Sequence, residues 1–188
     1  MFETRDIVRI SLFAALIAAM GLFPRLDIPL AGGVPITLQT LGVMLAGALL
    51  GPWRGAVSVL LFLLLVAVGA PLLAGGRGGL GVFFGPTAGY LIGWIPGAYV
   101  TGWLMQKTWP GNLFLRAYAA ALVGGVLVIH AVGFCYLAWK VGMSLRQAAV
   151  ADFIFVPGDI LKALACAYVA SIAGGDRLTR LNVPKQPS

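Results

Sequence analysis

The chain has 188 residues, of which 60% are hydrophobic and only 10% are charged, and its mean hydropathy is +0.96. Soluble domains carry about a quarter charged residues, so this composition excludes an ordinary water-facing surface and indicates an integral membrane protein. The net charge of +7 does not indicate nucleic-acid binding, because the thirteen basic residues are scattered among apolar runs and form no patch.

Apolar segments separated by polar or Gly/Pro breaks predict an all-α bundle of six transmembrane helices in one domain, residues 1–188. A full span needs about 20 residues, and shorter ones are tolerated where neighbouring loops fold back into protein. Arg5 and Arg9 before the first apolar run resemble the opening of a signal peptide, but further spans follow at once, so we predict a first transmembrane helix. The predicted helices cover residues 7–23, 36–50, 55–70, 85–105, 113–139 and 159–173.

Basic residues in the links predict the orientation of the spans. With six spans, both termini and the second and fourth links lie on one side, which carries eight basic residues against four, with Lys162 set aside as part of the last helix. The eight are Arg5, Arg9, Arg54, Lys107, Arg116, Arg177, Arg180 and Lys185, and the four are Arg25, Arg77, Lys140 and Arg146. This excess predicts cytoplasmic termini. It also places three irregular links, 27–40, 70–87 and the approach to residue 157, on the outer side, where they predict a pocket open to the outside.

Small residues spaced four apart mark two helix faces on which another backbone can approach closely. The glycines are Gly85, Gly89, Gly93 and Gly97, and the alanines are Ala14 and Ala18, with Ala15 and Ala19 beside them. The glycine ridge lies mid-chain and predicts packing within the bundle. The alanine face lies on a terminal helix and either packs within the bundle or docks another subunit.

The stretch PGDILK puts Asp159 and Lys162 three residues apart in apolar sequence. In purely structural terms, Asp159 would be the N-cap of the last helix, and Lys162 would pair with it or reach the outer interface. A charge deep in a membrane costs at least about 2.5–3.5 kcal/mol, whereas an exposed helical ion pair returns about 0.3–0.5 kcal/mol. The pair does not justify this cost as a stabiliser, so we predict a functional site.

Other residues near this pair are candidates for the same pocket. An ammonium group beside helix N–H groups suits an anion, and an ionised Asp159 suits N–H donors. Arg77, within GGRGG, either holds an anion or reaches lipid headgroups. Aromatic residues on the adjacent loop and helix either line a pocket or form an interfacial belt; they are Phe83, Phe84, Tyr90 and Trp94.

Enzymatic and metal-binding functions have weaker support. Cys135 and Cys166 lack C-x-x-C spacing and the chain has one histidine, so no metal site or cofactor is predicted. Aspartyl catalysis would need a second carboxylate beside Asp159, but Asp152 is predicted to lie in the preceding loop. His130 is predicted to hydrogen-bond within the bundle. No G-K-[ST] motif occurs, so any ATP-driven step belongs to a partner. A passive channel or small exporter remains as the alternative, although no helix has a sustained polar face.

Three segments together resemble the BioY family, the biotin-specific S components of energy-coupling factor (ECF) vitamin transporters. They are VPITLQTLGVMLAGALLGPWRG (34–55), GGRGGLGVFFGPTAGYLIGW (75–94) and VPGDILKALA (156–165). The resemblance implies a six-helix S-component bundle in the cytoplasmic (inner) membrane that captures biotin from outside, beneath the loop joining the first two helices. It also implies a transmembrane coupling subunit (T component) and two ABC-type ATPase subunits as partners.

The resemblance also implies roles for individual residues. Asp159 and Lys162 match the PGD-x-x-K pair that contacts biotin in this family, and Ala14 and Ala18 match the A-x-x-x-A face that docks the coupling subunit. Biotin has a cyclic urea with two N–H donors, an apolar sulfur ring and an acid tail. We expect Asp159 to accept from the urea and Lys162 to supply charge or a hydrogen bond. The remaining expected contacts are Phe84 and Tyr90 beside the rings, Gln39 closing the site from the first loop, and Arg77.

Overall fold

The structure is a computed structural model that describes residues 3–24, 26–27, 35–107 and 112–181. These residues form seven helices, rather than the six predicted. They are α1 (Thr4–Met20), α2 (Gln39–Leu50), α3 (Pro52–Ala67), α4 (Ala88–Gln106), α5 (Leu113–Val141), α6 (Leu145–Phe153) and α7 (Val156–Leu181). Two short antiparallel strands, β1 (Leu26–Asp27) and β2 (Pro35–Ile36), and one 3₁₀ turn, Leu80–Phe83, lie between helices. Part of the link that we expected to cover the pocket, residues 28–34, lies outside the described residues, as do Arg25 and Lys185 of the charge count.

The additional helix is α6, which lies in the link predicted between residues 139 and 159. Its start has a capping box, because Ser144 Oγ accepts from the Gln147 backbone N–H at 3.3 Å and Gln147 Oε1 accepts from the Ser144 N–H at 2.9 Å. The prediction that Asp152 lies in a loop is therefore wrong. Asp152 lies in the last turn of α6, with its side chain buried.

Helix α4 lies at the centre of the bundle, where it packs against α2, α3 and α5. Helix α1 packs on α2 and α3, α7 packs on α2 and α5, and α6 rests mainly on α5. The buried core includes Ile17 of α1, Val43 of α2, Phe62 of α3 and Trp94 of α4, all less than 5% exposed. This arrangement brings the first turns of α2, α4 and α7 to the same end of the bundle.

The glycine ridge packs α4 against α5, as predicted. A Cβ added at Gly93 would lie 3.1 Å from the Ile129 carbonyl oxygen, and one at Gly97 would lie 2.9 Å from that of Gly124. Such distances mean that the two backbones approach too closely for a side chain to fit between them. Gly85 is the exception, because α4 begins only at Ala88.

Of the two alternatives for the alanine face of α1, the structure shows packing within the bundle for Ala14 and Ala18. Ala14 is 3% exposed and belongs to the hydrophobic core, and Ala18 is half-buried against the same core. Ala14 is therefore corrected from a docking residue to a core residue, because the chain's own side chains already cover it. The exposed alanines of α1 are Ala15 and Ala19.

The outer surface of the bundle is apolar. Leu64, Leu127 and Leu161 are 54%, 64% and 67% exposed, respectively, and a surface rich in such side chains fits a lipid environment better than water. Among the described residues, Leu113–Val141 and Val156–Gly174 are long and apolar enough to cross a membrane by length and composition. Helices α2 and α3 are apolar but shorter.

Candidate functional site

A cavity opens at the end of the bundle where α2, α4 and α7 begin. About 590 Å³ of space free of protein atoms lies within and in front of this cavity, its open mouth included. Its lining residues are Thr37, Gln39, Thr40, Leu73, Arg77, Thr87, Tyr90, Leu91, Trp94, Ile129, His130, Phe155, Asp159 and Lys162. Most of the wall is apolar, and two of its charged residues, Asp159 and Lys162, belong to α7.

The cavity brings together five of the six residues that the sequence analysis selected for substrate binding. They are Asp159, Lys162, Tyr90, Gln39 and Arg77. Phe84, the sixth, is 70% exposed, follows the 3₁₀ turn and does not line the cavity. Among the selected aromatic residues, Tyr90 and Trp94 form the wall instead.

Asp159 lies within the first turn of α7, and its predicted role as N-cap is wrong. Its backbone N–H donates to the Phe155 carbonyl at 3.1 Å, so the helix begins earlier, at Val156. Pro157 fits this first turn because its missing N–H would have had no acceptor within the helix. The Asp159 carboxylate is therefore free to bond with side chains of other helices.

Asp159, Lys162 and Thr40 form a compact polar group at the base of the cavity. Lys162 Nζ lies 2.7 Å from Asp159 Oδ1 and donates to Thr40 Oγ1 at 3.0 Å. The Thr40 hydroxyl in turn donates to Asp159 Oδ1 at 2.9 Å. An ammonium group has three N–H donors and a carboxylate about four acceptor positions, so part of each group's capacity remains for a ligand.

His130 bridges two buried carboxylates. Its Nε2 lies 2.8 Å from Asp159 Oδ2, and its Nδ1 lies 2.8 and 2.9 Å from the two oxygens of Asp152. The Tyr90 hydroxyl donates to Asp152 Oδ1 at 2.6 Å. Neutral imidazole has one donor and one acceptor nitrogen, whereas imidazolium donates from both. The positively charged form therefore satisfies both carboxylates at once.

Gln39 makes three hydrogen bonds to the protein backbone. Its Nε2 donates to the carbonyl oxygens of Ile17 and Leu72, both at 3.1 Å, and its Oε1 accepts from the Ala74 N–H at 3.0 Å. Both amide hydrogens are thus used, and Gln39 is 1% exposed. It ties the loop after α3 to the end of α1 and acts on the cavity by holding its wall.

Arg77, which lines the cavity, is part of a tight turn. Leu73 and Arg77 exchange backbone hydrogen bonds of 3.0 and 3.2 Å, and Gly75 and Gly76 between them have φ of 80° and 69°. Residues with a Cβ rarely adopt such positive φ values, so this turn requires glycine. The glycines of GGRGG thereby fix the backbone position of Arg77, which is half-buried.

Trp94 contributes a polar atom that the described residues leave unpaired. Its Nε1 is buried and has no hydrogen-bond partner among the described residues, while the residue lines the cavity at 4% exposure. A buried donor without an acceptor is energetically unfavourable. An acceptor atom of a bound molecule would satisfy it.

Three functional candidates in the structure, Thr40, His130 and Asp152, were not among the residues predicted to form the site. Thr40 was inside a quoted motif but was not selected, and Asp152 was assigned to a loop. The prediction that His130 hydrogen-bonds within the bundle is confirmed, but its place in the cavity wall was not recognised. An ionisable residue in an apolar helix was a sufficient signal for His130.

Comparisons with known proteins agree on the identity of the fold. The family model of the BioY family matches residues 1–177. The chain is 48% identical over 170 residues to the biotin transporter BioY of Rhizobium etli, covering 88% of this chain and 90% of that protein. It is also 48% identical over 175 residues to the biotin transporter BioY of Rhodobacter capsulatus, covering 88% and 91%. Among solved structures, the S-component for biotin from an ECF-type ABC transporter matches with a TM-score of 0.82 and 31% identity, covering 96% of this chain and 95% of that one.

Proposed function

Because this chain belongs to the BioY family, we propose that it is the membrane subunit that captures biotin from outside the cell for uptake. The observation that carries this proposal is the Asp159–Lys162 pair, which lines a mostly apolar cavity and keeps hydrogen-bonding capacity that the described residues do not use. A buried pair of this kind is costly unless a ligand or other groups use it. The relatives and the solved structure above are named for biotin.

The chemistry of biotin fits the free positions in the cavity. Two N–H groups of Lys162 are used within the protein, which leaves one for the urea carbonyl of biotin. Asp159 Oδ1 accepts from Thr40 and Lys162, whereas Oδ2 accepts only from His130 among the described residues, which leaves a position for a urea N–H. A cyclic urea presents its carbonyl and N–H groups side by side, as this donor and acceptor require.

The remainder of the molecule extends along the apolar wall toward the mouth of the cavity. The rings of Tyr90 and Trp94 pack against the sulfur ring of biotin, and Trp94 Nε1 gains an acceptor there. The tail carboxylate reaches Arg77 at the mouth, since guanidinium is the side chain best suited to bind a carboxylate. Gln39 supports this end indirectly, through its bonds to the loop that carries Arg77.

In the membrane, α1–α5 and α7 form the six spans, and the short helix α6 lies at the outer surface. At about 1.5 Å per residue, the nine residues of α6 are far too short for a hydrocarbon core of about 30 Å. We propose that both termini lie in the cytoplasm, which the excess of basic residues favours, and that the membrane is the inner membrane. The cavity opens on the side opposite the termini, toward the supply of vitamin.

A transmembrane coupling subunit and two ABC-type ATPase subunits complete the transporter, and this subunit is not itself an enzyme. The coupling subunit docks on the exposed small-residue face of α1 formed by Ala15 and Ala19. Ala15→Trp is expected to reduce recovery of the coupling subunit in a pull-down. Leu64→Trp, a change at another exposed position, on α3, is the control and is expected to leave recovery unchanged. Equal recovery of both variants would reject this docking face.

Equilibrium binding with the purified protein tests the main proposal. We expect saturable binding of radiolabelled biotin, with the ligand recovered chemically unchanged. Absence of saturable binding by folded protein would contradict the proposal and favour a passive channel or exporter. Recovery of an altered ligand would instead indicate an enzyme.

A further inference from the structure

We propose that His130 and Asp152 are positioning residues that fix the charge and rotation of the Asp159 carboxylate, and thereby select ligands by their N–H donors. Neither residue needs to touch the ligand for this role. The inference rests on the proposed function, because it assumes that Asp159 accepts a hydrogen bond from the ligand. It concerns how the protein makes that acceptor specific.

Among the described residues, hydrogen bonds fill all but one of the acceptor positions of Asp159. Thr40 and Lys162 occupy the two lone-pair positions of Oδ1, and His130 Nε2 occupies one of Oδ2 at 2.8 Å. One acceptor position remains, and it has a defined direction. Without His130, both positions on Oδ2 would be open and the carboxylate could rotate about its terminal torsion, which has broad energy minima.

Asp152 fixes the orientation of His130 through the ring nitrogen that does not contact Asp159. Both carboxylate oxygens of Asp152 lie within hydrogen-bond distance of His130 Nδ1. The Tyr90 hydroxyl donates to one of them, Oδ1, at 2.6 Å and so restricts rotation of the carboxylate. The resulting chain runs from Tyr90 on α4 through Asp152 on α6 and His130 on α5 to Asp159 on α7. Residues of four helices therefore determine the direction of one acceptor. Each of these four hydrogen-bonded residues is less than 9% exposed.

The charges of Asp152, His130, Asp159 and Lys162 balance one another. Two carboxylates, one imidazolium and the Lys162 ammonium sum to zero, so the buried network is neutral when every member is paired. Loss of Asp152 would remove the acceptor of Nδ1 and one of the two anions that stabilise the imidazolium. The ring would then be less firmly held, and in its neutral form it would be a weaker donor to Asp159. Asp152 thus has a role in ligand binding although it does not line the cavity.

The test combines protein variants with ligands that lack one donor. The ligands are biotin and its two mono-N-methylated forms, each of which has lost one urea N–H. The variants are His130→Leu, Asp152→Asn and the double variant, with Ser58→Ala as the matched control, since Ser58 makes a buried hydrogen bond on α3 away from the cavity. Affinities are measured on purified protein by competition with radiolabelled biotin, and folding is checked by thermal melting without ligand.

We expect His130→Leu and Asp152→Asn to weaken biotin binding about 10- to 100-fold, the range for loss of a hydrogen bond to a charged group. The N-methylated form that lacks the donor facing Asp159 is expected to change by less than about threefold, because it no longer uses the positioned acceptor. The double variant is expected to match His130→Leu within about twofold, since Asp152 acts only through His130. Ser58→Ala is expected to bind all three ligands as wild type does.

Two results would overturn the inference while leaving biotin capture intact. One is a folded variant with wild-type affinity for biotin, and the other is an equal loss of affinity for biotin and both methylated forms, which indicates a purely structural role. If His130→Leu fails to fold, His130→Gln keeps an N–H donor toward Asp159 and is expected to lose less affinity than Asp152→Asn; the reverse order would also overturn it. Failure of the wild-type protein to bind biotin would instead refute the proposed function.

Discussion

Replacing Lys162 with Met removes the ammonium group and keeps an unbranched apolar stem. In the wild-type protein Nζ lies 2.7 Å from Asp159 Oδ1 and 3.0 Å from Thr40 Oγ1, so one N–H group remains for the ligand. A hydrogen bond that involves a charged group contributes about 1.5–3 kcal/mol, and about 1.4 kcal/mol corresponds to a tenfold change in affinity. We therefore expect Lys162→Met to weaken biotin binding about 10- to 150-fold.

The measurement is equilibrium binding of radiolabelled biotin by the purified variant. Leu161→Met is the control, because Leu161 is the neighbouring residue on the same helix and is 67% exposed on the outer surface. The variant is expected to remain folded, since His130 and Thr40 still pair with Asp159. If folded Lys162→Met protein binds biotin within about twofold of the control, less than 0.5 kcal/mol has been lost and the assigned contact is wrong.

Three further predictions concern other parts of the site and bundle. Arg77→Ala is expected to weaken binding of biotin about tenfold or more but to leave binding of its methyl ester nearly unchanged; equal losses for both ligands would exclude a contact with the carboxylate. Gln39→Leu removes three hydrogen bonds to the backbone, each with a net contribution of about 1 kcal/mol. A lower melting temperature is therefore expected without ligand, and an unchanged one would contradict the proposed support of the loop. Gly89→Ala places a Cβ against the Tyr136 side chain and 3.0 Å from the Val132 carbonyl oxygen, so overpacking should destabilise the bundle by about 1–3 kcal/mol. Gly85→Ala, whose nearest neighbour would be 3.8 Å away, is the control, and equal melting temperatures of the two variants would refute the packing argument.

Much of the bundle could be predicted because long apolar runs are interrupted by Gly and Pro. Helix α5 was predicted as 113–139 and is observed as Leu113–Val141. The starts of the other helices differ by about three residues, since local chemistry determines them. For example, Pro52 occupies the first turn of α3, and Gly51, with φ of 83°, separates it from α2.

Helix α6 could not be recognised from hydrophobicity. It has nine residues, its exposed face includes Arg146 and Gln147, and only Ala148 and Asp152 are buried. Such a segment has the composition of a link, and its helical form depends on the capping box and on packing against α5. The buried role of Asp152 was therefore hidden with it.

Some residues of the candidate site could likewise be predicted from the sequence, and others could not. The sequence singled out Asp159 and Lys162 because two charges in an apolar segment are costly, and their three-residue spacing already allowed the observed ion pair. It gave no means of deciding whether the amide of Gln39 would face a ligand or the backbone. The structure assigns it to the backbone, because three main-chain groups meet at its position.

The amino-acid sequence by itself determined the kind of solvent around the protein, most of its helices and the local charge pair. These properties follow from composition and from neighbours within one or two helical turns. Only the tertiary structure decided which side chains share the cavity. Thr40 meets Asp159 across 119 residues and Tyr90 meets Asp152 across 62, and such contacts depend on how each helix is rotated and how deeply it is placed. That rotation is set by the packing of the whole bundle, including the close approach of α4 and α5 at the glycines.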